Sequence, residues 1–411
     1  MYIFEALFEY LISLLVTGSF LATLTKEFNF SDSLTGILSS VVSLGCLFQT
    51  MSISFRIPKV KGFVITMSII NQLLFMLLYI IPLTGFEKQI KTVLFVLFIV
   101  LAYIIYNFAH PKKISWLMSL VDDKHRGSFT ANKEIISLAC GMLFSFITGA
   151  LLDHFELLGK IKIAFFIAAA IIFVLLIMHT FSLVFAFEKP INKSEDNSIN
   201  QSIKNIVKNK NILKVTMVYI FYNIAYYVAV PFYGTYQINE LGFNLKTVSL
   251  LAILGSVSRI VVSKFWGNFA DKKSFALMIE KCFIILAISY ACMIVAVPSN
   301  GLIMVALYYV LNGIAMGGIN NALINLIFDY STYEVRSDAL AISQAVAGIT
   351  GFLATICISP LVTHIQQNGN NILGVSLFAQ QAVSAIGLIF IIVAITYVRI
   401  MLVKNKKGEV I

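Results

Sequence analysis

Two glutamates near the start of the chain have the residue type and spacing for proton chemistry. Glu5, Glu9, Ser13 and Thr17 follow one another at intervals of four residues inside an apolar run that covers residues 3–24. This interval places all four side chains on one stripe of a helix. A carboxylate held among apolar neighbours has its charged form disfavoured, so Glu9 or Glu5 could load and release a proton. Glu9 and Ser13 are also candidate ligands for a polar solute.

The same stripe has a simpler interpretation, which stays open. Glu5 could lie among the lipid headgroups, and Glu9 could be an acid that the positive end of a helix favours. A charged group at the bilayer centre costs about 2.5–3.5 kcal/mol on insertion scales, so each such residue needs a reason to be there. The effect of Glu9→Gln on proton-driven accumulation of a solute distinguishes the two interpretations.

A second group of polar side chains lies in the seventh apolar run. Asn223, Tyr226 and Tyr227 share one face near the middle of that run. Pro231 and Gly234 would loosen its outer half, as a moving helix requires. We expect Asn223, Tyr226 and Tyr227 to line a cavity and to contact the solute. Tyrosine is also common at membrane interfaces, which is the alternative explanation for the other tyrosines of this run.

Neutral hydrogen-bonding groups dominate the other apolar runs as well. Asn312 and Gln344 are further candidate solute ligands, with ordinary bonding between helices as the alternative. Arg259 is the one cation placed to hold a strong anion, and its long side chain could instead reach the membrane surface. A phosphate carrier would need several converging cations. The side chains therefore favour a small, mostly neutral organic solute, such as a sugar or a nucleoside.

The composition excludes an ordinary soluble enzyme. Of the 411 residues, 59% are hydrophobic and 12% are charged, whereas soluble domains carry about 25% charged residues. The continuous apolar runs also differ from the alternating strands of a membrane β-barrel. The sequence has no sensibly placed Ser/His/Asp set, no HExxH and no phosphate-binding glycine loop, and its five cysteines have no paired spacing. We therefore expect no catalytic residues, no cofactor and no metal site.

Twelve apolar runs are long enough to cross a membrane, since a spanning helix needs about 20 residues. They cover roughly residues 3–24, 33–55, 62–83, 91–109, 129–152, 161–187, 213–237, 247–266, 274–297, 301–327, 336–364 and 373–402. We predict an all-α membrane protein of 12 transmembrane helices in two pseudo-symmetric six-helix bundles. The bundles comprise residues 1–188 and 213–411, the second with a short cytoplasmic tail, and a cytoplasmic linker at 189–212 joins them.

The distribution of lysine and arginine predicts the orientation. With both termini in the cytoplasm, 21 of these residues fall in inner loops, linker or tail and 6 fall outside. This count places Lys112 and Lys113 in the fourth loop. The bias follows the positive-inside rule, which also explains the net charge of +10 without a nucleic-acid partner. The abundance of Lys, Ile, Asn and Phe indicates a bacterium with an AT-rich genome, and so a multi-pass protein of the plasma membrane.

Short motifs in the loops carry a family resemblance. Gly267, Asp271 and Lys272 lie in the stretch WGNFADKK, which resembles the Gly-x-x-x-Asp-Arg/Lys signature of the major facilitator superfamily. The other copy of this signature, after the second run, keeps its basic residues. It has Ser54 in place of the glycine and Pro58 in place of the acid.

The two halves of the chain also repeat one spacing. Arg126 is followed by Gly141 after 15 residues, and Arg336 is followed by Gly351 after 15 residues. Both pairs are related by an offset of 210 residues. The two arginines resemble those that the superfamily places at the starts of helices 5 and 11. Transporters often contain such internally duplicated halves.

The resemblance implies how the molecule would work. A member of the superfamily has two six-helix bundles, a central cavity and alternating access, and we expect a monomer as the functional unit. Gating roles are implied for Gly267, Asp271, Lys272, Arg126 and Arg336. Asp271 is expected near Arg126 when the carrier faces outward, because the start of a helix and an arginine both favour an acid.

These features favour secondary transport of a small polar organic solute across the plasma membrane. Its partners are that solute and the lipid bilayer, with proton coupling as an option. Efflux of lipophilic or cationic compounds is the alternative, although the stretch from Gly141 to Gly149 lacks the Gly-Pro element usual in drug/proton antiporters. A transporter-like sensor is less favoured, because the linker and tail supply no signalling domain. The fold alone does not identify the solute.

Overall fold

A computed structural model describes residues 1–54, 59–118, 120–121, 126–187, 209–331, 336–372 and 375–404. The predicted linker at 189–212 falls outside these residues up to position 208, and the altered signature after the second run falls outside them at 55–58.

The described residues form thirteen α-helices of at least ten residues, because the apolar runs of the sequence favour helices whose backbone groups are satisfied internally. They are α1 (Tyr2–Leu15), α2 (Gly18–Glu27), α3 (Asp32–Ser54), α4 (Val60–Ile80), α5 (Lys88–Met118), α6 (Arg126–Leu157), α7 (Ile161–Val184), α8 (Lys210–Ala229), α9 (Leu245–Lys272), α10 (Phe275–Ile294), α11 (Gly301–Tyr330), α12 (Arg336–Gln367) and α13 (Ala379–Val398).

Short segments complete the described elements. Ile81–Leu83 and Val230–Phe232 are 3₁₀ turns that each contain a proline, and Tyr233–Thr235 is a single α-helical turn. Tyr236–Glu240 and Arg399–Lys404 are π-helical. Two short strands, β1 (Asn371–Ile372) and β2 (Val375–Ser376), pair in antiparallel fashion, with Asn371 opposite Ser376.

Eleven of the described helices are long and apolar enough to cross a membrane. The pair α1 and α2 forms a twelfth candidate span, broken by a bend of 42°. Large hydrophobic side chains stay exposed along these helices, as a lipid-facing surface requires, for example Leu143 (66% exposed) and Val261 (71% exposed). The prediction of an all-α protein with 12 transmembrane helices is thus confirmed.

The first span differs from the continuous helix predicted at 3–24. The hydroxyl of Thr17 donates to the carbonyl of Ser13, 2.9 Å away, and α1 ends at Leu15. Gly18 has a φ of +54°, a conformation that glycine adopts without steric cost. The chain therefore bends after the stripe that carries Glu5 and Glu9.

The fourth span corrects a prediction. The apolar run predicts a helix that ends near residue 109, with Lys112 and Lys113 in the loop that follows, whereas α5 continues past Pro111 to Met118. Proline within a membrane helix is tolerated where neighbouring groups satisfy the freed backbone. Lys113 is consequently a helix residue, and only 3% of its surface is exposed.

The described chain divides into two compact units. Unit 1 contains residues 1–30, 45–196 and 243–249, and unit 2 contains residues 31–44, 197–242 and 250–411. In unit 1 the carboxylate of Asp153 accepts hydrogen bonds from the backbone N–H groups of Leu245 (2.9 Å) and Lys246 (2.7 Å). A side chain of α6 therefore caps the first turn of α9, whose N–H groups have no partner within their own helix.

Within unit 1, side chains of neighbouring helices donate hydrogen bonds to carbonyl groups at and just after the C-terminal end of α7. The ammonium group of Lys61 donates to the carbonyls of Val184 (2.7 Å) and Ala186 (2.8 Å). The indole N–H of Trp116 donates to the carbonyl of Phe187 at 3.1 Å. A cation at this end also complements the negative end of the helix dipole.

Glycines allow the helices of unit 2 to approach closely. The backbones of α9 and α11 are in direct contact at Gly255 and Gly313, since a Cβ atom added at Gly313 would overlap the backbone of Gly255. Beside them the indole N–H of Trp266 donates to the carbonyl of Ile314 at 2.8 Å. Small residues of this kind are the usual packing sites between membrane helices.

The glycines that repeat at an offset of 210 residues have matching surroundings. In unit 1 a Cβ atom at Gly141 would overlap the ring of Tyr10 on α1. In unit 2 a Cβ atom at Gly351 would overlap the ring of Tyr227 on α8. In each unit, therefore, a tyrosine packs directly on the glycine of the repeated spacing.

Candidate functional site

A buried ion cluster lies within unit 1. The ammonium nitrogen of Lys113 on α5 lies 2.9 Å from Oε1 of Glu5 on α1, and it also hydrogen bonds to Oε2 of Glu9. The side chains of Glu5 and Lys113 are 2% and 4% exposed, whereas that of Glu9 is 20% exposed. Glu9 is thus the more exposed carboxylate of the two.

His179 on α7 completes the cluster. Its Nε2 lies 3.3 Å from Oε1 of Glu5 and 3.7 Å from Oε2 of Glu9. Its Nδ1 lies 2.9 Å from Nε2 of Gln72 on α4. An amide nitrogen only donates, so in this arrangement Nδ1 accepts and Nε2 carries the proton that faces Glu5.

The charges of the cluster do not balance. With two ionised carboxylates, one ammonium group and an uncharged imidazole, the side chains in direct contact would carry one net negative charge. Buried ions are stable only when they are paired and hydrogen bonded. One further proton would neutralise this group, and either Glu9 or His179 has an atom placed to take it.

The surroundings of the cluster are aromatic and basic. The ring of Tyr106 lies 5.8 Å from Nζ of Lys113, and the ring of Tyr2 lies 4.9 Å from Nζ of Lys133 on α6. The hydroxyl of Tyr2 and Nδ1 of His110 are buried without a hydrogen-bond partner in the described structure.

Metal ligation is geometrically possible at the same residues. Ligand atoms of Glu5, Glu9 and His179 lie within 4.8 Å of one another. Lys113 already bonds to both carboxylates and supplies the positive charge that a metal would bring. The arrangement is therefore that of an ion-paired cluster.

The remaining residues of the helix 1 stripe bond locally. The hydroxyl of Ser13 donates to the carbonyl of Tyr10 on its own helix at 2.7 Å. Ser13 is partly buried and does not join the ion cluster. The stripe consequently separates into an ionic part at Glu5 and Glu9 and a neutral part at Ser13.

In unit 2, the candidate solute residues of α8 form an aromatic group. The rings of Tyr226 and Tyr227 have centroids 5.1 Å apart, and Tyr222 lies next to them at 6.1 Å from Tyr226. The amide of Asn223 donates to the carbonyl of Tyr219 on its own helix at 2.9 Å. All of these side chains except those of Tyr219 and Tyr222 are only partly buried.

The other two candidates lie on different helices of unit 2. Asn312 on α11 is partly buried, and Gln344 on α12 is exposed. On α11 the hydroxyl of Tyr309 donates to Oε1 of Gln237 at 3.3 Å, which adds a phenol and an amide that the sequence analysis did not select.

The proposed gating residues lie at helix ends. Arg126 and Arg336 are the first residues of α6 and α12, and Gly267 and Lys272 are exposed near the end of α9. The side chains of Arg126, Arg336 and Asp271 lie outside the described residues. The expected approach of Asp271 to Arg126 stays a prediction.

Sequence reasoning missed three members of the ion cluster. Lys113 was assigned to a loop, His179 lies within a long apolar run, and Gln72 has no distinctive neighbours in the sequence. The one signal in the sequence was His179 itself. A histidine inside an apolar run is costly, so it indicates that polar partners lie nearby in the fold.

Comparison with known proteins decides the family. The sequence matches the family model of the Major Facilitator Superfamily over residues 3–355. The chain belongs to this superfamily. Among curated proteins, none matches the sequence.

Solved structures of the Major Facilitator Superfamily share this fold. A point mutant of the nucleoside transporter NupG has a TM-score of 0.74 at 14% identity, over 97% of this chain and 99% of that one. A bacterial homologue of the human lysosomal transporter Spinster has a TM-score of 0.64 at 11% identity, over 97% and 94%. A D-xylose–proton symporter has a TM-score of 0.63 at 14% identity, over 95% of each chain.

The superfamily accounts for the architecture described above. The membership of this chain in the superfamily confirms the family resemblance that was noted at Gly267, Asp271 and Lys272. This membership identifies the chain as a multi-pass membrane transporter. At these identities the solved structures establish the fold of this Major Facilitator Superfamily member and leave its solute to be argued from the residues.

Proposed function

We propose that the protein is a proton-coupled secondary transporter for a small, polar, mostly neutral organic solute of the nucleoside or sugar class. It would work by alternating access, as a monomer in the plasma membrane, with both termini in the cytoplasm. The family match supports the transport mechanism, and the lysine and arginine distribution supports the orientation.

The observation that carries proton coupling is the ion pair between Glu9 and Lys113. A proton on Glu9 removes the charge that faces Lys113 and leaves that ammonium group paired with Glu5 alone. The change alters the contact between α1 and α5. Glu9 suits the exchange of protons because it is more exposed than Glu5, and Glu5 serves as the fixed counter-ion.

His179 gives the cluster a second position for the proton. Protonation at Nδ1 would require a hydrogen-bond acceptor there, and a rotation of the Gln72 amide by half a turn would supply its Oε1, which has no partner in the present orientation. The nearest polar atoms of Glu9 and His179 are 3.7 Å apart, so a proton on one of these side chains changes the charge that the other faces.

Support for a nucleoside or sugar comes from unit 2 and from the fold. Tyr226, Tyr227 and Asn223 offer aromatic faces, phenol groups and an amide, which suit the rings and hydroxyls of such solutes. Asn312, Gln344 and Ser13 are the further candidate ligands. Proteins of similar fold include a transporter of nucleosides and a symporter of D-xylose and protons.

Efflux of lipophilic or cationic compounds is the second candidate. The tyrosine group around Tyr226 favours it, because aromatic faces attract both apolar rings and cations. The gating roles of Gly267, Asp271, Lys272, Arg126 and Arg336 would be shared by both functions. The two functions differ in the compounds that stabilise the protein.

One screen separates these functions. The purified protein is heated with uridine, adenosine, D-xylose or a lipophilic cation, and the compound that raises the melting temperature is then tested for uptake in proteoliposomes with an inward proton gradient. Binding and proton-driven uptake of a nucleoside or sugar support the proposal. The proposal is contradicted if only the lipophilic cation stabilises the protein, or if uptake is the same with and without the proton gradient.

A further inference from the structure

A second buried polar cluster lies within unit 2. Its centre is Asp32, which is 6% exposed in the first turn of α3. Oδ1 accepts a hydrogen bond from Asn239 (3.0 Å), and Oδ2 accepts from Gln366 and Gln380 (2.8 Å each). Three amide groups from three separate parts of unit 2 thus converge on one carboxylate.

A second carboxylate joins the same group. Oε1 of Glu240 lies 3.4 Å from Nε2 of Gln366, and Oε2 lies 3.4 Å from Nδ2 of Asn370. One amide nitrogen therefore lies within hydrogen-bond distance of both carboxylates. Among the described residues, no lysine or arginine forms an ion pair with Asp32 or Glu240. The two carboxylates therefore have no cationic partner in this part of the chain.

Two amide oxygens in this cluster lack partners. Oε1 of Gln380 and Oδ1 of Asn370 are buried and accept no hydrogen bond in the described structure. Gln380 is fully buried, with its amide held against Asp32. A buried amide oxygen without a donor costs about 1–3 kcal/mol. If these amides turned so that their oxygens faced the carboxylates, a cation bound there would give the oxygens a partner and the carboxylates a counter-charge.

We propose that Asp32 and Glu240 bind a divalent cation of the calcium type, with amide oxygens of Gln380, Gln366 and Asn370 as further ligands. Each of these amides can exchange its NH₂ group for its oxygen by a half-turn of the side chain. The side chains that now donate to the carboxylates would then coordinate the ion together with them. The ion would replace the nitrogen of Gln366 as the bridge between the two acids.

The chemistry of the ligands selects the cation. Carboxylate and amide oxygens suit hard cations such as Ca²⁺, and the described cluster offers no thiol or imidazole for a softer metal. A charge of +2 matches two carboxylates. Under the orientation proposed above, α3 begins after the first span and so outside the cytoplasm, where weak calcium sites are common.

The alternative is that the cluster is a purely structural bond network. Asp32 lies at a helix N-terminus, which favours a negative charge without any ion. That explanation accounts for Asp32, and it leaves Glu240 without a counter-charge and the oxygen of Gln380 without a partner. Calcium binding itself distinguishes the two explanations, and it can be measured whether or not the protein transports a nucleoside or sugar.

The test uses the full-length protein in detergent, freed of metal with a chelator. Binding of ⁴⁵Ca²⁺ is measured by equilibrium dialysis, and melting temperatures are recorded with Ca²⁺, Mg²⁺ or Na⁺. We expect one bound Ca²⁺ and a rise in melting temperature of about 3 °C or more at saturating Ca²⁺. Glu240→Gln and Gln380→Leu should lose this binding, whereas Glu87→Gln, at an exposed acid, should retain it.

Three results would overturn the proposal. The first is a parent protein that binds no Ca²⁺ in the dialysis, a measurement that does not depend on the folding of any variant. The second is stabilisation by Na⁺ without Ca²⁺, which would reject a divalent ion. The third is unchanged Ca²⁺ binding in a folded Glu240→Gln variant, which would place the ion elsewhere.

Discussion

The ammonium nitrogen of Lys113 lies 2.9 Å from Oε1 of Glu5, and both side chains are almost completely buried. The pair joins α5 to α1 within unit 1, across 108 positions of sequence. Two buried ions repay the cost of leaving water only if each has its partner. Removing one of them should therefore harm the protein more than removing both.

The first prediction concerns this pair. Lys113→Met leaves the buried Glu5 and the partly buried Glu9 as neighbouring carboxylates without an ammonium partner, and it should destabilise unit 1 by about 3–5 kcal/mol. Adding Glu5→Gln to this variant should restore part of the loss, because it removes one unpaired charge. Thermal unfolding in detergent measures both effects. A double variant no more stable than Lys113→Met would argue against a direct pairing.

The second prediction concerns proton coupling. Glu9→Gln should abolish accumulation of solute along a proton gradient and leave counterflow exchange intact, since exchange requires no net movement of protons. Both activities are measured in the same proteoliposomes. Equal loss of both would indicate a role of Glu9 in solute binding or folding.

The matched control for this experiment is Glu156→Gln. Glu156 is an exposed acid of α6 in the same unit, paired with Lys26 at 3.8 Å. Exposed pairs contribute little to stability, so we expect this variant to behave like the parent. Undiminished accumulation by Glu9→Gln would leave Glu9 as a structural acid at a helix start.

The third prediction concerns the support of His179. Gln72→Leu removes the donor to Nδ1 and leaves that buried nitrogen without a partner. We expect a loss of about 1–3 kcal/mol in the free energy of unfolding. Gln72→Glu offers an acceptor in the same place and should make the imidazole doubly protonated, which ¹⁵N spectra of labelled histidine would report. An imidazole that stays neutral in Gln72→Glu would contradict the assigned contact.

The fourth prediction concerns the repeated glycines. Gly141→Val and Gly351→Val should each destabilise the protein by about 1–3 kcal/mol, because the new side chains overlap the rings of Tyr10 and Tyr227. Gly62→Ala is the matched control. Gly62 lies in α4 with no atom near the position of an added Cβ, so alanine should raise the stability slightly. Similar melting temperatures for all three variants would rule out the close contacts.

Local sequence was enough to predict the helices and to indicate the family. Runs of about 20 apolar residues require spanning helices whatever surrounds them, because lipid cannot satisfy a bare backbone. The spacing of Glu5 and Glu9 likewise placed both carboxylates on one side of α1, since the helical repeat is local. The signature around Gly267 indicated the superfamily, because the residues of this short motif lie next to one another in the chain.

The partners of these carboxylates depend instead on how the helices pack. Lys113 joins them because α5 continues past Pro111, an outcome that depends on neighbouring helices rather than on the local sequence. His179 approaches from 174 positions along the chain, and Gln366 and Gln380 reach Asp32 from more than 330 positions away. Such pairings have no sequence signature, because a buried polar group selects its partner by position in space and not by distance along the chain.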